Sequence, residues 1–300
     1  MARTNRRSAG GGLGVSIRCV RIALLGLGVL ISGAAFAAPR VVSVAGSLTE
    51  AVYALGGEEA LIAVDTTSTY PPQAKTLPKV GYQRSLSAEG IISQRPTLVL
   101  ATEEAGPAAV LQQLESAKVP VRKLPAEPSV RGAVERIKAV AEALDKEAEG
   151  QALAAELEAR LAAITERTQQ VSDKPKVLFL FSTGQGAPLV AGRDTAAEAM
   201  LKLAGADNAV TAFAGFRPLT PEALVAAAPD ALLIPTATLE QFGGIEGLRR
   251  LPGMAATPAF RNRQVIAMDH LYLLGFSTRL PDAVRDLAAQ LHPDRDWQGL

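Results

Sequence analysis

The chain has 300 residues, 48% of them hydrophobic and 20% charged, with 31 Lys and Arg against 30 Asp and Glu. That length supports more than one core, and the composition excludes a disordered chain. A single cysteine, Cys19, excludes a disulfide scaffold and a cysteine metal centre, and the absence of a basic stripe excludes a nucleic-acid binder.

In chain order, the first 37 residues stand apart. Arg3, Arg6, Arg7, Arg18 and Arg21 accompany an apolar run at 22–31, and Ala35-Phe36-Ala37 presents small residues where a signal peptidase reads. The run is shorter than the roughly 20 residues of a membrane span. Residues 1–37 are therefore predicted to be a secretory signal peptide, cleaved after Ala37 and taking Cys19 with it. Losing five of the 31 basic residues leaves 26 against 30 acidic ones, a net charge of −4.

A strand at 41–44 leads into Ser47-Leu48-Thr49-Glu50, read as a capping box that opens a helix ending at Gly56-Gly57. A strand at 61–64 delivers the chain to Asp65-Thr66-Thr67-Ser68-Thr69-Tyr70-Pro71-Pro72. Two prolines stop any helix or central strand, so Tyr70 sits in a loop just past a strand end, where α/β folds place ligand contacts. A helix at 87–94, a strand at 98–101, a helix at 107–114 and a strand at 119–123 follow. Helical spacing then runs from 130 to 144, and a second segment at 146–171, capped by Asp145, is rich in Ala, Glu, Leu and Arg. At 1.5 Å per residue this second helix is about 40 Å long, a spine between two lobes that allows a small hinge motion rather than wide closure. Strand and helix then alternate afresh: 176–181, a polar loop Ser182-Thr183-Gly184-Gln185-Gly186, a Thr195-to-Glu198 capping box, a Thr220-Pro221 helix start, strands at 231–234 and 265–268, a helix at 281–291 and a frayed tail from Pro293.

The expected fold is α/β: an N-terminal lobe at 38–128, a helical region at 129–173 and a C-terminal lobe at 174–300, with parallel-type sheets and a cleft between the lobes. An ungapped internal repeat supports two similar lobes. Arg84-Ser85-Leu86-Ser87-Ala88-Glu89 matches Arg217-Pro218-Leu219-Thr220-Pro221-Glu222, and Pro96 with the strand after it matches Pro229 with its own. Arg84 and Arg217 then take equivalent places.

No nucleophile elbow, phosphate loop or dinucleotide fingerprint is present, and His270 and His292 are the only histidines. From the residues alone, Tyr70 is either a loop tyrosine packed on its prolines or a cleft contact. Tyr82 and Tyr272 also fall in loops of that kind, whereas Tyr53 follows helical spacing into the core.

The order Val44-Ala45-Gly46-Ser47-Leu48-Thr49-Glu50, the Asp65-to-Pro71 stretch and Val80-Gly81-Tyr82-Gln83-Arg84-Ser85-Leu86-Ser87-Ala88-Glu89-Gly90 resembles the periplasmic haem-binding proteins of bacterial haemin ABC transporters. Glu104-Ala105-Gly106-Pro107 and Leu274-Gly275-Phe276 resemble them too, and the likeness runs from about Arg40 to Leu291. It implies a class III periplasmic binding protein plan and a non-enzymatic, monomeric periplasmic carrier that passes ferric haem to an inner-membrane permease. It implies Tyr70 as the axial iron ligand, and Arg84 and Arg217 beside the phenolate or the propionates. Tyr82, Tyr272, Leu273, Leu274 and Phe276 would flank the porphyrin. The loop at 182–186 lacks the histidine with which some members hold a second haem, so one haem per chain is expected, with His270 a conceivable distal ligand. Glu103 or Glu104 in one lobe and Glu198 in the other are the candidates for docking on the permease. A ferric-siderophore or cobalamin carrier is the alternative, and a periplasmic hydrolase a lesser one.

Overall fold

The structure is a computed structural model that describes residues 39–184 and 186–300. The expected signal peptide, Cys19 and Gln185 lie outside the described residues.

The first lobe runs β1 (Val41–Val44), α1 (Gly46–Ala54), β2 (Leu61–Val64), a hairpin of β3 (Gly81–Tyr82) and β4 (Ser85–Leu86), α2 (Ala88–Ile92), β5 (Leu98–Thr102), α3 (Ala108–Ser116) and β6 (Val121–Leu124). Its sheet is wholly parallel in the order β2-β1-β5-β6. Both faces are covered, which is why β1 is buried at every position rather than alternating. Leu48 and Val52 of α1 pack with Val41 on one face, and Ile91, Leu111 and Leu114 pack with Val42 and Val44 on the other.

Two helices, α4 (Val130–Ala143) and α5 (Glu147–Gln169), lead to the second lobe. Each start has a physical cause. The Ser129 hydroxyl caps α4 by accepting the Gly132 N–H at 2.9 Å. Asp145 does not cap α5: its φ is 54°, it makes the turn between the helices, and Lys146 holds the cap position. Both expected helical segments are present, the second being the 23-residue helix α5. Val134 and Ile137 of α4 belong to the second lobe's core, whereas Val140 and Ala141 belong to the first's. Gly150 of α5 nests against Ala141, where a Cβ would stand 2.3 Å from that side chain.

The second lobe contains β7 (Lys176–Phe181), β8 (Leu189–Ala191), α6 (Ala196–Leu203), β9 (Asp207–Asn208), β10 (Phe216–Pro218), α7 (Pro221–Ala227), β11 (Ala231–Pro235), α8 (Thr236–Phe242), α9 (Ile245–Leu248), α10 (Pro258–Arg261), β12 (Val265–Met268), α11 (His270–Leu274) and α12 (Leu280–Leu291). Strands β9, β7, β11 and β12 are parallel, but β8 runs antiparallel to β7 and β10 antiparallel to β8, so this sheet is mixed rather than parallel. The loop after β7 carries Gly184 and Gly186 at φ 82° and 76°. Glycine there lets the chain reverse directly into β8 without a crossover helix.

The repeat has a structural counterpart. Ser87 and Thr220 cap α2 and α7 by accepting the N–H of Gly90 and Ala223, each at 3.1 Å, and β5 and β11 follow at matching places. The tail is not frayed. Trp297 is 6% exposed and donates from Nε1 to the His292 carbonyl at 3.1 Å, and Arg295 bonds the Gln170 carbonyl. A large apolar ring within reach of the second lobe's core outweighs the entropy of a free end. Among the described residues no helix is long and apolar enough to cross a membrane.

Candidate functional site

The carboxyl ends of β2 and β12 bring two loops together, as open α/β sheets do at a ligand crevice. In the first, Asp65 is fully buried. Its carboxylate accepts the Thr67 N–H at 3.0 Å, the Thr67 hydroxyl at 2.8 Å and the Ser68 hydroxyl at 2.8 Å. The Thr67 hydroxyl in turn accepts the Gly46 N–H at 2.9 Å, and Ser68 and Thr49 share a 2.7 Å bond. The start of α1 is thus satisfied from the Tyr70 loop. The expected Ser47 capping box is not formed, because Ser47 lies inside the helix and Ala45 holds the cap position. The loop stands on this knot, with Tyr70 41% exposed at its tip.

The guanidinium beside Tyr70 is neither Arg84 nor Arg217. It is Arg279, at the cap position of α12, whose Cζ lies 3.6 Å from the Tyr70 ring centroid and 4.8 Å from that of Tyr272. Arg279 is paired with Glu50, a buried carboxylate on α1, so the contact joins the lobes. Burial raises the Glu50 pKa, against the opposing pull of Arg279. Beside this pair the Ser277 hydroxyl donates to the Ser47 carbonyl at 2.7 Å. Arg136 of α4, 4% exposed, donates to the Phe276 carbonyl at 2.6 Å.

The sequence gives one hint of Arg279. A cation at a helix N-terminus opposes the helix dipole, so an arginine there has another partner. Its pairing with Glu50 spans 229 residues, beyond any local pattern.

The other expected residues separate into groups. Tyr272 is half-buried, and its hydroxyl donates to Asp286 of α12 at 2.7 Å. Burial first and Asp286 second push its pKa well above the ordinary tyrosine value, so this phenol keeps its proton. Leu273 and Phe276, 0% and 1% exposed, are core residues of the second lobe. Leu274 is partly buried against the same core. Tyr82, 41% exposed, accepts from Arg84 at 2.7 Å, and Arg84 also pairs with Glu104. Arg217 lies on β10 with its guanidinium 4.7 Å from the Phe213 ring centroid.

His270 packs on Phe181 with ring centroids 5.4 Å apart. Desolvation lowers its pKa; Asp269 pulls it back up and Arg84, from the first lobe, pushes it further down. His292 is not a tail residue but a buried one, with Nε2 3.2 Å from the Ala204 carbonyl.

Glu103 and Glu104 are exposed, Glu103 accepting the Ala126 N–H at 3.4 Å. Glu198 is 8% exposed: it accepts the Asp194 N–H at 2.9 Å and pairs with Lys202. Its carboxylate is held at the start of α6 by these two partners. Among the described residues no cluster of three or more His, Cys, Asp or Glu could hold a metal ion. The arrangement offers instead an exposed phenol, Tyr70, stacked on the Arg279 guanidinium where the lobes meet.

The family model described as "Periplasmic binding protein" matches residues 41–272. Two solved structures are similar over nearly their whole length. The apo "Periplasmic heme-binding protein RhuT" from Roseiflexus sp. RS-1 is 43% identical, with a TM-score of 0.83 covering 86% of this chain and 99% of that one. The "Periplasmic heme-binding protein BhuT in complex with two hemes" is 44% identical, with a TM-score of 0.81 covering 85% and 98%. The "Vitamin B12-binding protein" of Pectobacterium carotovorum is 42% identical over 95 residues, 31% of this chain and 34% of that protein.

Proposed function

The chain belongs to the periplasmic binding protein family, a family of transport proteins that bind substrates, and from that premise we propose that it captures ferric haem between its lobes and delivers it to an ABC importer. The observation that carries this reading is Tyr70. Its phenol stands exposed on a braced loop, and among the described residues nothing hydrogen-bonds its hydroxyl. Phenolate oxygen is a known haem iron ligand, and coordination displaces the phenol proton. Arg84, in the β3–β4 turn, Tyr82 on β3 and Arg217 on β10 are exposed, and a guanidinium suits a propionate. Tyr272 serves by packing, since its hydroxyl is committed to Asp286. We expect one haem per chain, since Tyr82, as exposed as Tyr70, has its hydroxyl held by Arg84.

Cobalamin is the competing cargo, because proteins so named share about a third of the chain. A cobalamin site has no need of an axial tyrosine.

The test is titration of the purified mature protein with haemin and, separately, with cyanocobalamin. One equivalent of haemin giving a high-spin ferric tyrosinate spectrum, lost in Tyr70→Phe, supports the reading. An unchanged spectrum in Tyr70→Phe overturns the ligand, two equivalents overturn the stoichiometry, and preference for cobalamin overturns the cargo.

Docking on the permease fits the carboxylates that the repeat makes equivalent better than it fits Glu198. Glu89 on α2 and Glu222 on α7 are both exposed in the first turn. Three residues on, Ile92 and Val225 expose apolar side chains, 37% and 52% accessible. Glu89→Lys with Glu222→Lys should abolish stimulation of the importer's ATPase while haemin binding stays intact; unchanged stimulation in that variant with loss in Glu103→Lys or Glu104→Lys would return docking to the latter pair.

A further inference from the structure

Resting on the reading of Tyr70 as iron ligand, we infer that Arg279 is its positioning residue and that Glu50, in the other lobe, sets the position of Arg279.

The Asp65 knot fixes the backbone up to about Thr69, but it does not reach the Tyr70 ring. The contact on the ring itself is the Arg279 guanidinium, 3.6 Å from its centroid. A guanidinium carbon that close to the centroid is a cation–π contact, and a planar guanidinium can stack on a ring face where an ammonium cannot. Its plane is fixed from two further sides. The Tyr272 ring lies 4.8 Å away, and Glu50 holds the guanidinium through a side chain that is 2% exposed. Among the described residues the buried Nε of Arg279 has no partner. The guanidinium therefore keeps this plane at the expense of a hydrogen bond, so stacking and the Glu50 pair decide its orientation.

The consequence is specific to this arrangement. A ring clamped on one face presents its oxygen in one direction, and the direction depends on a carboxylate that touches neither the ring nor the cleft. A ligand phenol held this way is preorganised, and losing the clamp makes haem binding supply the ordering.

The experiment uses the mature chain carrying Arg279→Lys, Arg279→Gln or Glu50→Gln, with Tyr70→Phe as reference. Haemin affinity, the tyrosinate-to-iron charge-transfer bands and thermal unfolding are recorded for each. Both Arg279 variants are expected to weaken haemin binding about tenfold and to shift and broaden those bands. Arg279→Lys, which keeps a charge for Glu50, should do so with little change in melting temperature. Glu50→Gln, remote from the ligand, should shift the bands in the same direction. If Arg279→Lys folds and binds haemin with wild-type affinity and unshifted bands, the inference is overturned. The same holds if Glu50→Gln lowers the melting temperature but leaves the bands alone. Failure of the ligand reading looks different: there Tyr70→Phe itself retains the spectrum.

Discussion

Tyr272→Phe separates a phenol that packs from one that binds. In the wild type its hydroxyl donates to Asp286 Oδ2 at 2.7 Å. A hydrogen bond to a charged acceptor contributes about 1.5–3 kcal/mol. The orphaned carboxylate here keeps its Arg285 bonds at 2.8 and 3.0 Å and is 42% exposed, so water replaces the lost donor. The loss then falls at the lower end, about 1.5 kcal/mol, or a melting temperature lower by about 3–6 °C for a chain of this size. The stabilisation also has a sign in pH. Burial and Asp286 raise the folded-state pKa of this phenol above its ordinary value. The advantage of tyrosine over phenylalanine is therefore complete below pH ~10 and declines as pH climbs through the raised value. Calorimetry between pH 6 and 11 measures this, and haemin titration of the same samples should give unchanged affinity and spectrum. A Tyr272→Phe protein with wild-type melting but haemin binding weakened more than tenfold would refute the reasoning, because the hydroxyl would then act on the ligand.

Three further outcomes follow from packing and charge. Trp297→Ala should cost about 3 kcal/mol, since the ring is 6% exposed and hydrogen-bonded, and thermal denaturation reads this directly; a free tail would give no change. At Glu198, burial raises the carboxyl pKa but the Asp194 N–H and Lys202 outweigh it, so the folded value lies below the ordinary 4.5. Its stabilisation is present above that pH and lost below it, and the melting curves of wild type and Glu198→Gln should converge as pH falls from 6 to 3. Gly46→Ala places a Cβ 2.5 Å from the Thr67 carbonyl and 2.7 Å from Leu271 Cδ1, which should lower the melting temperature and weaken haemin binding together through displacement of the Tyr70 loop.

What could be read in the sequence was local. The hydroxyl caps at Ser87, Thr195 and Thr220 and the strand–helix alternation need only a few consecutive residues, and each is found where its pattern places it. The repeat was legible because capped helix and strand recur in register. What escaped was non-local. Ser47 carries the pattern of a cap, yet the Gly46 N–H is bonded instead by Thr67, 21 residues further on. Glu50 reads as the acid of that box and is instead the partner of an arginine 229 residues away. Leu273 and Phe276 read as pocket-lining because apolar residues in a loop give no sign of which way they face, and both turn into the core. Tyr70 was singled out by its loop and its likeness, and the guanidinium stacked on it was not, because nothing near Tyr70 in the chain encodes Arg279.

The double membership of α4 bears on how the molecule comes apart. Val134 and Ile137 lie in one core and Val140 and Ala141 in the other, on a single rigid helix of 14 residues. Neither lobe can melt without stripping apolar surface from a helix the other still holds. Calorimetry should therefore record one thermal transition for the two lobes rather than two, and two resolved transitions would refute the coupling. The stability of either lobe is shared with its neighbour, so a cavity cut into one core is felt in the persistence of both.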